Sequence, residues 1–311
     1  MKKLFGLLLT FTVFFSDFQV SVSAAYNVCF YGSREGDGKN FGDQLNRNLL
    51  NFFKIKYSCV PVEETENIFI GSILSWKYKK NLNVWGAGLI YERLNFLGGL
   101  NVHCLRGEKT KSFIERTKKI RLGNCLLGDP ALLCKHIFTE KEEKKYDVGI
   151  VCHAGDDPNS QYLKNIDLHR KSFTFIDVRD DPKEVCRKIK QCRFILSSSL
   201  HGLIVADSYG IPNRRFILAT SSNPNNTRFS FKFEDYYSIY KGIVIPKAVD
   251  LVAGEKIKDE DIDRFTEEYN IPQDVIDSFC KKYIELIKSH FPKASIGNLT
   301  EKAQDSFGDL Y

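Results

Sequence analysis

The sequence predicts an α/β protein built on parallel sheets and divided into two halves. Three observations carry this. Short apolar runs recur along the chain, and each stops at glycine or a polar turn. Helical or loop sequence follows almost every run, the alternation that parallel sheets with crossover helices require. After the charged, apolar-poor stretch "FTEKEEKKY" (138–146) the alternation starts again. That stretch reads either as a linker between halves or as a solvated helix end.

The elements follow in order. "NVCFY" (27–31) reads as a strand running into the glycine-rich "GSREGDGKN". "FGDQLNRNLLNFF" (41–53) sets Leu45, Leu49, Phe52 and Phe53 at helical spacing. "NIFI" (67–70), "LNVW" (82–85), "NVHCL" (101–105) and "NCLL" (124–127) are strands that end at Gly71, "GAG", Arg106-Gly107 and Gly128-Asp129-Pro130; "KTKSFIERTKK" is a helix between the last two. In the second half, "DVGIVCH" (147–153), "FTFIDV" (173–178), "RFIL" (193–196) and "RRFIL" (214–218) are strands, with the helix "DPKEVCRKIKQC" (181–192) among them. "IPQDVIDSFCKKYIELIKSHF" is a closing amphipathic helix with Val275, Phe279, Tyr283 and Ile287 on one face. The boundaries read as a leader at 1–25, halves at 26–140 and 141–255, packing helices at 256–295 and a disordered tail at 296–311.

The leader is a separate matter. Lys2 and Lys3 precede a twelve-residue apolar run, Leu4 to Phe15, and small residues follow near Ala24. That is the pattern of a secretory signal, too short for a comfortable span. An uncleaved anchor, or the first strand of a cytoplasmic protein, are the other readings. A signal places the protein in the secretory pathway or cell envelope. The nine cysteines include no C-x-x-C pair and sit mostly in apolar runs, as buried free thiols do. The net charge of +6 is spread along the chain, so no basic face for nucleic acid is indicated.

Chemistry concentrates where strands end. In "SSSLHGLIVADSYGIPNRR" (197–215), His201 falls at a strand-to-helix turn. Ser198, Ser199 and Gly202 surround it, and a helix N-terminus there is an anion site. The histidine is then either a general acid or a cap. Arg106 can bind a carboxylate or phosphate, or pair internally with Asp or Glu. Asp43 sits at a helix start and Asp129 before Pro130, each open to an ordinary capping role. No phosphate-binding loop is present, since Gly38-Lys39 is followed by Asn40, and no dinucleotide fingerprint or metal motif occurs.

Taken in order, "NFGDQLN", "FIGSIL", "VWGAGL", "LRGEKT", "LGDPALL", "ILSSSLHGLIVADSYGIPN" and "FKFEDYY" resemble the polysaccharide pyruvyl transferase family over roughly residues 27–240. The resemblance implies two Rossmann-like halves in a GT-B-like arrangement with the active site between them. It implies phosphoenolpyruvate as donor, a glycan or glycan precursor as acceptor, a pyruvate ketal as product, and neither metal nor other cofactor. No protein partner is implied. His201 matches the family's proposed acid. Arg106, Ser198, Ser199, Gly202 and Arg215 become candidates for the donor, and Asp43, Gly71, Gly86, Gly88, His153 and Asp129 for the cleft wall. This chain departs from some members in having Ser199 where they carry arginine, so other cations must serve. A nucleotide-sugar glycosyltransferase and a catalytically lapsed glycan-binding protein are the alternative functions.

Overall fold

A computed structural model of the chain describes residues 25–33, 39–95, 98–157, 159–218 and 230–291. The signal-like segment up to residue 24, part of the glycine-rich loop and the tail beyond 291 lie outside these residues.

The first half runs β1 (Tyr26–Val28), α1 (Phe41–Phe52), β2 (Tyr57–Cys59), β3 (Asn67–Ile68), β4 (Leu82–Trp85), β5 (Leu100–Leu105), α2 (Glu108–Lys118), β6 (Leu126–Leu127) and α3 (Cys134–Ile137). Its strands form one parallel sheet in the order β2-β1-β3-β4-β5-β6. The second half runs β7 (Tyr146–Val151), β8 (Ile166–Asp167), β9 (Phe173–Ile176), α4 (Pro182–Lys190), β10 (Cys192–Ser197), α5 (Leu200–Ser208), β11 (Asn213–Ile217), α6 (Ser230–Tyr237), β12 (Val249–Asp250), β13 (Ile257–Lys258), α7 (Asp259–Glu267) and α8 (Gln273–His290). Its main sheet, again parallel, has the order β12-β11-β10-β7-β9, and β8 pairs with β13 apart from it. The α/β class with parallel sheets is therefore as the sequence predicts.

Two packing facts position the site. All nine residues of α5 are buried, because "LHGLIVADS" has no polar face to offer water. It is enclosed by α4, β10, β11, α8 and the turn Pro130–Leu133. The closing helix α8 returns to the first half. Its Tyr283 hydroxyl donates to the Trp85 carbonyl at 2.7 Å, and its buried residues are Ile276, Phe279, Cys280, Tyr283, Ile284 and Ile287. Val275, expected on that face, is only half-buried while its neighbour Ile276 is buried. One apolar cluster consequently runs through both halves, from Val28 and Leu45 to Ile195 and Leu203. All nine cysteines are free thiols, six of them buried. Among the described residues no helix is long and apolar enough to cross a membrane.

Candidate active site

In each sheet the strand order reverses at one place: between β1 and β3 in the first, and between β7 and β10 in the second. At such a reversal the connections diverge to opposite faces and leave a crevice at the carboxyl ends of the strands. Here the two crevices open into one cavity of 370 Å³. Tyr31, Asn40 and Asp43 reach it from β1 and α1, and Ser72, Ile73 and Trp76 from the segment after β3. His153 to Gly155 follow β7, Ser199 to His201 follow β10, and Lys232 comes from α6. The volume suits a small organic molecule.

His201 occupies the first turn of α5 and is 7% exposed. Residues of the other half grip its ring. A side chain on Gly42 of α1 would place Cβ 2.0 Å from His201 Nδ1, so only glycine lets the two helices meet. On another side His201 Nε2 faces Asp129 Oδ2 across 3.8 Å. Both atoms are buried without a hydrogen-bond partner. Asp129 Oδ1 is occupied, accepting from the Ala131 amide at 2.9 Å.

The serines have divided tasks. Ser197 Oγ donates to carbonyls of Val151 and Ser199 and braces the end of β10. Ser198 Oγ donates to Asp156, and the His153 amide donates to both Ser198 and Asp156. The loop after β7 is thereby tied to the loop after β10. Ser199, the residue before α5, lines the cavity.

Burial sets the charge state. His201 is pushed down to about 3 by desolvation first, then by the cations Lys232 and Arg106 and by His153. His153 is likewise pushed down to about 3, by desolvation and then Lys232 and Arg179. Asp43 is pushed up to about 7 by desolvation, against a 2.7 Å hydrogen bond from Asn40. Lys232, 6% exposed, is pushed down to about 8, chiefly by burial. At neutral pH both imidazoles are uncharged, and among the described residues Lys232 is the cation that lines this cavity.

The expected site residues separate accordingly. His201, Ser199, Asp43 and His153 meet in the cavity. Ser198 and Gly202 lie just behind it, Gly202 packed on Ser197 and Val151. Arg106 does not reach the cavity. Its guanidinium is wholly buried: Nε donates to Asp235 Oδ2 at 3.0 Å, Nη2 lies 3.0 Å from the same oxygen and donates to the Leu89 carbonyl, and Nη1 donates to Ser72 Oγ. The internal pairing left open by the sequence is the one found. Ser72 separates it from the cavity that Ser72 lines. Arg215 stacks on Phe233 at 3.7 Å in a different depression, with Tyr237 and Lys247. Gly71, Gly86 and Gly88 are packed against Asp43, Pro130 and Arg106 rather than lining the cavity, and Asp129 is fully buried behind His201.

Sequence reasoning passed over Lys232, Trp76, Asn40 and Tyr31. Lys232 left a signal: a lone lysine among the aromatics of "FSFKFEDYY", where a charge on an apolar stretch needs a reason.

The chain is 31% identical over 213 residues to Uncharacterized protein L143 of Acanthamoeba polyphaga mimivirus, covering 65% of this chain and 71% of that protein. A crystal structure of a functionally uncharacterised Klebsiella pneumoniae protein shares 13% identity at a TM-score of 0.38, covering 73% of this chain and 92% of that one. A family model described as polysaccharide pyruvyl transferase matches residues 40–217; this is more than half of the chain and spans both crevices and His201, and the protein belongs to that family.

Proposed function

We propose that the protein transfers pyruvate from phosphoenolpyruvate to two hydroxyls of a glycan or glycan precursor, forming a ketal, with the halves in a GT-B-like arrangement. The observation that carries this is the position of a neutral His201 at a helix N-terminus, in a cavity that also holds Lys232. The first-turn amides of α5 and the Lys232 ammonium attract the donor's phosphate and carboxylate. The donor's charge then favours the imidazolium that burial and the neighbouring cations disfavour. His201 gives its proton to the methylene carbon, leaving a cationic centre at C2. A sugar hydroxyl attacks that carbon and its proton leaves with the departing phosphate; a second hydroxyl closes the ketal and its proton returns to His201. Trp76 and Tyr31, which line the cavity, offer flat apolar faces to the sugar.

The test is incubation with phosphoenolpyruvate and a panel of glycans, following phosphate release and ketal formation. A nucleotide-sugar glycosyltransferase would instead release nucleoside diphosphate, and a lapsed binding protein would release nothing. We also propose that the leader directs the chain into the secretory pathway and that roughly the first 24 residues are removed. N-terminal sequencing of the mature protein decides this, and an intact Met1 or Lys2 contradicts it.

A further inference from the structure

From the two unsatisfied atoms that face each other behind the cavity, we infer that Asp129 is the positioning residue of His201: it fixes which ring nitrogen carries hydrogen and receives the charge when the ring is protonated. This rests on the pyruvyl-transfer reading above for its role in the reaction, and on geometry alone for the tautomer.

Buried polar atoms are almost always partnered, so an orphan calls for an explanation. His201 Nε2 and Asp129 Oδ2 are both orphans, and they face each other at 3.8 Å. The carboxylate is not there merely to cap. Capping the turn Pro130–Leu133 occupies only Oδ1. Nor can the ring rotate away freely, since Gly42 packs along its edge from Cβ through Cγ to Nδ1; Nδ1 is nevertheless not among the buried unpartnered atoms, whereas Nε2 is. Oδ2 is an acceptor held against a ring nitrogen by a different half of the protein.

The surrounding charges explain why the contact is open. Lys232 of α6, Arg106 after β5 and His153 after β7 all oppose a proton on His201. Around Asp129, burial and Asp235 of α6 favour the neutral acid, while Arg106 and the Ala131 amide favour the anion, which leaves it at about 6. Asp43 of α1 and the buried thiols of Cys104 and Cys134 are also within its field. A neutral ring beside the carboxylate gains no ion-pair attraction from close approach. An imidazolium beside a carboxylate gains a charge-assisted hydrogen bond. In the reaction, Nε2–H stays donated to Asp129 while Nδ1 gives its proton to the methylene carbon. The ring ends neutral with its one remaining hydrogen on Nε2, and Asp129 ends ionised as it began.

The experiment is ¹⁵N NMR of histidine-labelled full-length protein at pH 8, where Asp129 is ionised. In the wild type His201 Nε2 carries the hydrogen and Nδ1 does not. Asp129→Asn keeps the Oδ1 cap but must turn its NH₂ toward Nε2, so the hydrogen moves to Nδ1. A loss of packing alone would not exchange the two nitrogens. With phosphoenolpyruvate and acceptor, Asp129→Asn lowers kcat about tenfold to a hundredfold and moves the alkaline limb of the rate profile to lower pH, with KM for the donor little changed. Wild-type Nε2 without hydrogen at pH 8 overturns the inference whether or not the variant folds. So does the same tautomer in both proteins. If wild type releases no phosphate from phosphoenolpyruvate, the pyruvyl-transfer reading fails, while the tautomer still tells whether Asp129 orients the ring.

Discussion

Three charged side chains show how burial assigns their tasks. Lys232 faces the cavity with Asp43 and Asp156 in its field, and burial holds it at about 8. Its charge is present below that value and lost above it, so donor affinity should weaken as pH rises through about 8. Lys232→Met should raise KM for phosphoenolpyruvate about tenfold or more, while Lys232→Arg keeps the charge and much of the affinity. An unchanged KM in Lys232→Met removes the lysine from donor binding. Arg106 presents the opposite case. Its partner Asp235 is as buried as it is, and accepts two further hydrogen bonds from Thr110. Arg106→Met strands a buried carboxylate, at a cost of about 3–5 kcal/mol. Denaturant unfolding should show that loss. A fully stable variant with a raised KM would return Arg106 to the donor site.

Among the elements, α1 and α5 matter most, because one glycine allows their contact. Gly42→Ala should raise the helix propensity of α1, yet its Cβ would overlap the His201 ring. The ring must move, so kcat should fall while α1 stays folded. Activity equal to wild type would mean that the ring position is not needed. Gly42 is invisible as such in the sequence, since "NFGDQLN" reads as an ordinary helix start. The strands were legible because each apolar run stops at a polar turn, and His201 was legible because strand and helix patterns meet at it. What stayed hidden depends on pairing at a distance. "LRG" at the end of β5 looks like a ligand-binding arginine until Asp235, contributed by α6, is seen to fill its guanidinium. Asp129 looks like a turn cap, and half of it is one.

The molecule as a whole brings two strand-order reversals together, and the apolar cluster shared by both halves holds them there. The same closure keeps His153 and His201 uncharged. Their folded values lie below the ordinary 6.5, so as pH falls the unfolded chain binds protons first. The stability these two contribute is whole above pH 6.5 and is lost between there and about 3. Asp43 and Asp129, raised by burial, act in the opposite sense, so the comparison must be with a variant. A protein with both histidines changed to glutamine should lose less stability than wild type between pH 6.5 and 4. Parallel stability curves would show that the imidazoles are not desolvated. The most direct measurement is kcat of His201→Gln with phosphoenolpyruvate and an accepted glycan. Glutamine keeps the size and hydrogen bonding of the ring but cannot act as an acid. General acid catalysis contributes on the order of 10²- to 10⁴-fold, and kcat should fall by that much while donor KM and thermal stability hold. Turnover near the wild-type rate would contradict proton donation by His201 and reduce it to a packed cap on α5.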